Sequence, residues 1–461
     1  MMKEAKNLRD EKYAEFNRTF RFDRRLFTVA VRVNLAYCDA LFQAGVITRI
    51  ESERIKNGLQ TILKRADFYK DFFDQPSTSV HSFIETRLVQ LIGDAGIKLN
   101  IGRSRYDQIV TAFRLWLREE IQEISKNTRE LQAQLINAGE RQKEAVLPAY
   151  ANSQKAQPIL WVHWCLAYFE MFSRDRERLD EVWRRVNVLP LGAADLAGTF
   201  IEIDREEIGR ALGFEGVSAN SLDTVSDTDF AVESLSACSL LMIHLSRLAN
   251  ELILYQSAEF GFVEFAGTIS SDSNFLSRGN ISEVLELVRA KAGKIFGHQF
   301  AVFTTMKSLP LGVHKDTQEI MEAVFDSVDT MKSCLQIVST LLADLRVNES
   351  RTLDTVTKGY LNVAQLTDYL VQRDVPLKSA ENSVREIVSY AVSQGKNLED
   401  LSLEEFKKFS EHVSGDVFQS LSLEQTLASK NQIGGTSPER VFEALEAAKE
   451  NLEREEANCG F

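Results

Sequence analysis

The chain has 461 residues, 44% of them hydrophobic, and a formal net charge of −13 at pH 7. This length allows two or three domains, and the acidic balance argues against a general nucleic-acid or anionic-membrane binder, since both need a basic face. No apolar run reaches the roughly 18 residues of a membrane span, and the charged start lacks the apolar core of a secretory signal. Five scattered cysteines without a Cys-x-x-Cys pair are typical of reduced thiols, so we expect a cytoplasmic protein.

The first part of the chain, residues 1–102, is predicted to be an N-terminal helical domain. Its helical segments are short because Gly and Pro residues interrupt them, and the expected breaks lie at Gly45, Gly58, Pro76, Gly93 and Gly96.

The middle of the chain, residues 103–355, is predicted to be a domain of long helices. Four stretches contain neither Gly nor Pro, and the last two are 44 and 46 residues long; the stretches are 103–138, 159–189, 217–260 and 313–358. Strands average about 5–6 residues, so such stretches favour helices, some of them longer than about 40 residues. Helices of that length usually bury their excess apolar surface against partner subunits, which predicts a homo-oligomer.

A further helix is expected to begin near Asn280, three residues before Glu283, in a pattern that resembles a capping box. Residues 356–461 are predicted to form a small C-terminal helical domain of short amphipathic segments, with a turn at Gly434-Gly435-Thr436. The fold class is therefore predicted to be all-α.

Common motifs for cofactors and metals are missing from the sequence. It contains no Gly-x-x-x-x-Gly-Lys-Ser/Thr or Gly-x-Gly-x-x-Gly motif, no Gly-x-Ser-x-Gly motif, and no pair of histidines at metal-binding spacing. We therefore expect no cofactor and no metal.

Three polar segments stand out against the helical background. Gly102 to Gln108 places two arginines and a serine at a helix start, which fits either a clamp for a carboxylate or a capped helix whose arginines pair with neighbouring acids. Asn152 to Pro158 is a polar run before a helix with an aromatic face that we expect to be core. Residues 270–280 form a serine-rich loop, either a solvated connection or a lid.

With these segments, the chain resembles the argininosuccinate lyase and δ-crystallin family of the fumarase/aspartase superfamily. The resemblance extends along nearly the whole chain and includes Val80-His81-Ser82, Gly102 to Gln108, Gln154 to Pro158, Asn187 to Gly192, Asn220 to Asp223, Leu285 to Gly293, Lys315 to Glu319, Asp368 to Val371 and Gly434-Gly435-Thr436. It implies a fumarase/aspartase-like fold and a homotetramer with a central helical bundle, in which each active site is built from three subunits.

The resemblance also implies a function in arginine biosynthesis, the β-elimination of argininosuccinate to arginine and fumarate. The catalytic positions that it assigns are Ser273 as the base, Asn152 where the family has its acid histidine, and Glu286, which orients that histidine. The substrate-binding positions that it assigns are Ser104, Arg105, Tyr106, Gln154, Gln157, Arg278, Asn280, Lys315 and Gln318.

Several of these positions depart from the family pattern. An asparagine amide cannot deliver a proton near neutral pH, and a general acid typically contributes about 10²–10⁴ in rate. Tyr106 stands for an asparagine, Val313 for a tyrosine and Met321 for a lysine, while Arg278 and Asn280 fit a lysine–asparagine pair only with a one-residue slip.

Three functions therefore remain open. The first is a lyase of this family with an altered substrate or impaired activity. The second is a catalytically silent homotetrameric scaffold or regulatory relative, which could also pair with an intact lyase. The third is an ordinary argininosuccinate lyase in which solvent or another side chain replaces the acid.

Overall fold

The computed structural model describes residues 12–265, 278–358 and 360–458, and the side chains of 278–280 and 455–458 are outside the description. The predicted all-α class is confirmed, because helices account for most of the described chain and the strands form only small two-stranded sheets.

The N-terminal helices have at most 20 residues, and the first long helix follows them. Their bounds are α1 (Phe20–Asp23), α2 (Phe27–Gln43), α3 (Arg49–Phe68), α4 (Val80–Ile92) and α5 (Arg105–Arg141), with 3₁₀ turns at Arg24–Leu26 and Gly93–Asn100.

The middle of the chain adds the other long helices and the strands. In chain order these are β1 (Val146–Ala151), β2 (Gln154–Leu160), α6 (Trp161–Val186), β3 (Val188–Leu189), α7 (Arg205–Leu212), β4 (Gly216–Val217), α8 (Ser221–Ser226), α9 (Asp229–Gln256), β5 (Val263–Phe265), α10 (Arg278–Met306), α11 (Thr317–Ala343) and β6 (Leu345–Val347). The pairs β1–β2 and β5–β6 are antiparallel, and β3–β4 is parallel.

The C-terminal region consists mostly of shorter helices. They are α12 (Glu349–Thr357), α13 (Val363–Val371), α14 (Leu377–Gln394), α15 (Leu403–Lys407), α16 (Val417–Leu421), α17 (Leu423–Ala428) and α18 (Pro438–Asn458), with a 3₁₀ turn at Leu398–Asp400.

The chain folds into two compact units, each built from three separate segments. Unit 1 comprises the residues up to Lys126 together with Asp175–Met242 and Lys291–Ser333, and unit 2 comprises Asn127–Arg174, Ile243–Ala290 and the residues from Cys334 onward. The domains predicted at 1–102, 103–355 and 356–461 divide the chain by sequence order rather than by packing, and they stay a prediction.

The long stretches without Gly or Pro were correctly predicted to be helical. The prediction that some of these helices exceed 40 residues is wrong for the described residues. The longest described helix, α5, has 37 residues. The stretch 217–260 holds strand residue Val217, α8 and α9, and Asp227 separates the two helices by accepting a hydrogen bond from the Asp229 N–H at 2.9 Å. In the stretch 313–358, Asn348 begins α12 by accepting a hydrogen bond from the Arg351 N–H. Asp and Asn side chains thus end and start helices here without Gly or Pro.

One other predicted helix boundary needs correction. Gly58 does not break a helix but lies inside α3, where a Cβ would come within 2.7 Å of Leu88 Cδ1 on α4. Close helix packing, rather than a turn, accounts for this glycine. The helix expected to begin near Asn280 is described from Arg278 onward, within two residues of the predicted start.

The aromatic face of α6 is core in unit 2, as predicted. The Trp161 and Trp164 rings stack with centroids 4.7 Å apart, and the Tyr168 ring meets Trp164 edge-on at 4.8 Å. The indole N–H groups donate to the Ala138 carbonyl at 2.9 Å and to Glu251 Oε2 at 2.7 Å.

One described helix, α9, is long and apolar enough to cross a membrane by length and composition alone. Its 18-residue window has a mean hydropathy of 1.3, and half of that window is buried inside the protein. A core helix meets the same criterion, so this finding is weak evidence for a membrane span.

Candidate functional site

The start of α5, in unit 1, is a capped helix terminus. Ser104 Oγ accepts a hydrogen bond from the Asp107 N–H at 3.1 Å and donates one to the Ala194 carbonyl at 3.0 Å. The Gln108 amide donates to the Ser104 carbonyl at 2.9 Å. The cap therefore fixes the first turn of α5 against the loop that carries Ala194.

Arg105 forms an ion pair with an acidic residue of α4. Its Nη2 lies 2.5 Å from Glu85 Oε2, and both side chains are partly exposed, at 40% and 34%. Asn100 also donates to Glu85, at 2.9 Å. The structure thus shows the capped helix with a paired arginine, and a carboxylate ligand at Arg105 would have to replace Glu85.

Arg103 and His81 place buried nitrogen atoms beside this pair. The Arg103 guanidinium stacks over the Tyr37 ring at 4.9 Å and donates to Asn100 at 3.3 Å, while its Nε and Nη1 have no hydrogen-bond partner. Burial lowers the pKa of Arg103 to about 10. Burial, with Arg105 and Arg103 nearby, also lowers the pKa of His81 to about 3, so this imidazole is neutral, and its Nε2 has no partner. Unsatisfied buried polar groups of this kind are typical of a binding site.

Asp107 connects the start of α5 to the loop at 192–194. Its Oδ2 accepts hydrogen bonds from the Gly192 N–H at 3.4 Å and the Ala194 N–H at 3.1 Å. Burial raises the pKa of Asp107 to about 6, although Arg103 and these N–H groups act in the opposite direction.

Tyr106 points into an apolar cluster. The ring packs with Val110, Ala193 and Val225, and only 8% of the residue is exposed. Burial raises the pKa of its hydroxyl, against the effect of the neighbouring Thr317 hydroxyl. The Tyr106 side chain is therefore neutral and buried.

Lys315 and Gln318 lie at the start of α11, also in unit 1. Lys315 is exposed, and its Nζ donates to Asn17 Oδ1 at 2.5 Å. Gln318 is half-buried in the first turn. Met321, the position expected from the sequence to match a lysine of the family, is 3% exposed and belongs to the core.

Asn152, the position to which the resemblance assigns the acid, lies at the tip of a β-hairpin in unit 2. Asn152 and Ser153 have φ values of 51° and 61°, and they connect Ala151 with its partner Gln154. Two positive φ values define a tight two-residue turn that favours asparagine. Asn152 and Gln154 are exposed, whereas Gln157, further along β2, is half-buried.

Glu286 is exposed on α10 in unit 2. Its carboxylate lies 3.9 Å from Arg289 Nη2, and 55% of its side chain is exposed. Arg278 and Asn280 lie in the first turn of α10, and their side chains are outside the described residues. Ser273 and most of the loop expected at 270–280 also lie outside the described residues.

The candidate residues divide between the two units. Unit 1 contains Ser104, Arg105, Tyr106, Lys315 and Gln318, and unit 2 contains Asn152, Gln154, Gln157, Arg278, Asn280 and Glu286. The sequence pattern did not assign a role to His81 or Asp107, although each lies in a motif that the family resemblance includes. It gave Arg103 only a shared place with Arg105 in the possible carboxylate clamp. Over residues 12–265, 278–358 and 360–458, no group of His, Cys, Asp and Glu side chains could hold a metal ion.

Comparisons with protein families match two parts of the chain. A family model described as "Lyase" matches residues 3–272, and one described as "Argininosuccinate lyase C-terminal" matches residues 360–428. Argininosuccinate lyases from Geobacter sulfurreducens and Desulforudis audaxviator are each 40% identical over 440 residues, which covers 95% of this chain and 96% of theirs.

Solved structures show a similar fold. An EDDS lyase variant with bound fumarate has a TM-score of 0.83 at 23% identity, covering 94% of this chain and 88% of that chain. A class II fumarase from Schistosoma mansoni has a TM-score of 0.72 at 15% identity, covering 87% and 91%. The fumarase/aspartase-like fold expected from the sequence is confirmed by these structures.

Proposed function

Because the chain belongs to the argininosuccinate lyase family, we propose that it is a carbon–nitrogen lyase that eliminates fumarate from an argininosuccinate-type N-substituted aspartate, with an altered substrate or impaired turnover. The observation that carries the proposal is the start of α5, where Ser104 caps the helix and Arg105, paired with Glu85, lies beside the buried nitrogen atoms of Arg103 and His81. The site is proposed to work in the cytoplasm without a cofactor.

The proposed reaction needs three things from the protein. A base removes the proton from the carbon beside a substrate carboxylate, positive groups stabilise the resulting negative charge, and a proton must reach the nitrogen as the C–N bond breaks. We assign the base to Ser273. We assign carboxylate binding to Arg105, which would exchange Glu85 for the substrate carboxylate, with Lys315 and Gln318 as further contacts at α11.

Asn152 is the reason to propose altered or impaired activity. Its amide can donate a hydrogen bond to the leaving nitrogen but cannot transfer a proton to it near neutral pH. Tyr106 is a second reason, since its sealed hydroxyl stands where the family has an amide. Glu286, exposed on α10, would then lack the histidine that it orients in the family.

We infer that the active sites are completed by neighbouring subunits of a homotetramer. Gln154, Gln157, Arg278 and Asn280 are assigned as contacts to substrate, in sites that also hold residues of unit 1 from another subunit. Exposed apolar side chains on α9 and α10 support an assembly; they include Ile243, Leu254, Leu287, Phe296, Phe300 and Phe303.

The direct test follows fumarate by its ultraviolet absorbance when purified protein is mixed with argininosuccinate. We expect slow turnover that disappears in Ser273→Ala. Turnover as fast as that of an intact family member would show that another group delivers the proton.

A sharper test restores the acid. Histidine tolerates the left-handed backbone of residue 152 better than most residues, so Asn152→His is expected to keep the hairpin turn. If proton delivery limits turnover, kcat for argininosuccinate should rise by about 10²–10⁴. Asn152→Gly is the matched control, because glycine keeps the turn but supplies no proton.

The alternative is a catalytically silent scaffold or regulatory relative, and ligand binding distinguishes it from the lyase. The observation that favours it is Asn152 itself. A thermal-shift screen with argininosuccinate, fumarate and arginine measures whether the pocket binds its expected ligands, since a ligand of the folded state raises Tm. Stabilisation by a dicarboxylate supports the lyase, and no stabilisation by any of the three supports the scaffold.

A further inference from the structure

A groove lies in unit 1, at the ends of α3 and α4 and the connection between them. Its volume is about 460 Å³, and the residues that line it include Arg65, Tyr69, Asp71, Phe72, Arg87 and Gln90. None of these residues is among those assigned above to the lyase site.

The charge of the groove is unusual for an acidic protein. Two arginines face one carboxylate, Asp71, in a chain whose net charge is −13. Neither Arg65 nor Arg87 has an ion pair to any residue that the structure describes, whereas Arg105 is paired with Glu85 of α4. Guanidinium groups without carboxylate partners can bind a carboxylate or phosphate in bidentate geometry.

The Arg87 side chain is held in place by aromatic rings. Its guanidinium carbon lies 5.6 Å from the centroid of Phe72 and 5.1 Å from that of Phe83, which fits cation–π stacking. Its Nη1 also approaches Gln90 Oε1 at 3.5 Å, a long contact that leaves most of its donors free. This arrangement fixes a cation in the groove with little loss of side-chain freedom on binding.

The remaining residues that line the groove offer an apolar surface beside the two arginines. Phe72 is buried, and Tyr69, Leu91 and Ile62 add apolar surface. A groove of this volume accepts a small organic molecule, and a flat group fits against aromatic rings.

We propose that this groove binds a small organic anion in which a carboxylate or phosphate group is joined to a flat, apolar ring system. The anionic group would contact Arg65 and Arg87, and the ring would lie against Tyr69 and Phe72. Helix α4 also carries Glu85, the partner of Arg105, so the ligand would contact the same helix that supports the candidate active site.

The experiment measures binding of four probes to the full-length protein by titration calorimetry. Salicylate carries a carboxylate on a ring, AMP carries a phosphate on a base, inorganic phosphate lacks the ring, and adenosine lacks the charge. We expect saturable binding of salicylate or AMP, with a Kd of about 1 mM or below, and much weaker binding of phosphate and adenosine. AMP and salicylate together distinguish a phosphate from a carboxylate ligand.

Matched variants assign the binding to the groove. Arg65→Gln and Arg87→Gln should each weaken the favoured probe by about tenfold or more. Lys64→Gln removes one positive charge from the same helix at a position outside the groove, and it should leave binding unchanged. Arg105→Gln should also leave binding unchanged, which separates this groove from the proposed lyase site.

Two results would overturn the proposal. One is the absence of saturable binding for both ring-containing anions. The other is binding that Arg65→Gln and Arg87→Gln leave intact, or that Lys64→Gln or Arg105→Gln weakens equally. Circular dichroism of each variant confirms that the helices are intact, because a misfolded variant would lose binding for a different reason.

Discussion

Asp107 holds a carboxyl group in the protein interior at the start of α5. Its pKa is raised from 3.8 to about 6 by burial, so the folded protein binds the proton more tightly than the unfolded chain does. The resulting stabilisation is fully present below about pH 4 and is lost as the pH rises through about 6. A shift of this size corresponds to about 3 kcal/mol at most.

Replacing this carboxyl group tests the assignment. Asp107→Asn keeps an oxygen acceptor for the Gly192 and Ala194 N–H groups but cannot ionise. Asp23, whose pKa is also raised to about 6, acts in the same direction, and His81, whose pKa is lowered to about 3, acts in the opposite direction, in both proteins. We therefore expect the Tm of the variant, measured relative to that of the unmodified protein, to rise between about pH 4 and pH 7. Asp67→Asn, on the exposed end of α3, is the control. An unchanged pH profile in Asp107→Asn would contradict the raised pKa.

The sequence predicted some of these local contacts and not others. A serine followed three residues later by an aspartate at a helix start indicates a cap, and Ser104 forms one. The partner of Arg105 could not be predicted, since Glu85 lies 20 residues earlier on another helix and only the packing of α4 against the start of α5 brings them together. The same packing buries His81 and Arg103, which the spacing of residues alone does not reveal.

Helix ends show a comparable division between what sequence patterns predict and what they miss. The absence of Gly and Pro predicted helical stretches correctly, because those residues interrupt helices most strongly. The pattern overestimated helix length because Asp227 and Asn348 end and begin helices through side-chain hydrogen bonds. Asn152 and Ser153 likewise turn the chain into a hairpin whose strand β2 includes the polar run that follows.

Gly58 gives a test of the packing between α3 and α4. A Cβ at this position would lie 2.7 Å from Leu88 Cδ1 and 3.2 Å from Ile92 Cγ2. Alanine improves helix propensity by about 1 kcal/mol, but overpacking costs about 1–3 kcal/mol, so we expect Gly58→Ala to lower the free energy of unfolding by about 1 kcal/mol.

A double-mutant cycle identifies the cause. In a Leu88→Ala background the overlap is largely removed, so Gly58→Ala should become neutral or stabilising there. Urea unfolding monitored by circular dichroism measures the four free energies. Equal effects of Gly58→Ala in both backgrounds would show that the helices are further apart at this position than the structure places them.

For the whole chain, the family resemblance predicts the fold but not the substrate. Collinear motifs predicted the family and the fold, both confirmed by relatives at 40% identity and by similar structures. They do not predict the substrate, because the proposed changes at Asn152, Tyr106 and Met321 involve only a few positions, which the fold does not test. Fold and reaction are specified by different residues, so one can be kept while the other changes.

Assembly is the property of the whole molecule that decides whether the proposed sites can form. On α10, Phe296, Phe300 and Phe303 are spaced three and four residues apart and are 38%, 75% and 51% exposed. Such a stripe of aromatic side chains is unfavourable in water and favours burial against another chain. We therefore expect light scattering after size-exclusion chromatography to give a mass of more than one chain, and of about four chains for the proposed homotetramer.

Charged residues in the stripe should disrupt this assembly. A Phe300→Glu and Phe303→Glu double variant would bury two carboxylates in the interface, so we expect it to elute as smaller species while its circular dichroism remains helical. Phe68→Glu is the matched control, because Phe68 is 81% exposed at the end of α3 and lies outside the stripe. If the double variant keeps the mass of the unmodified protein, α10 does not form the interface. If the unmodified protein is itself a monomer, sites completed by neighbouring subunits cannot exist, and the proposed lyase would have to assemble its site within one chain.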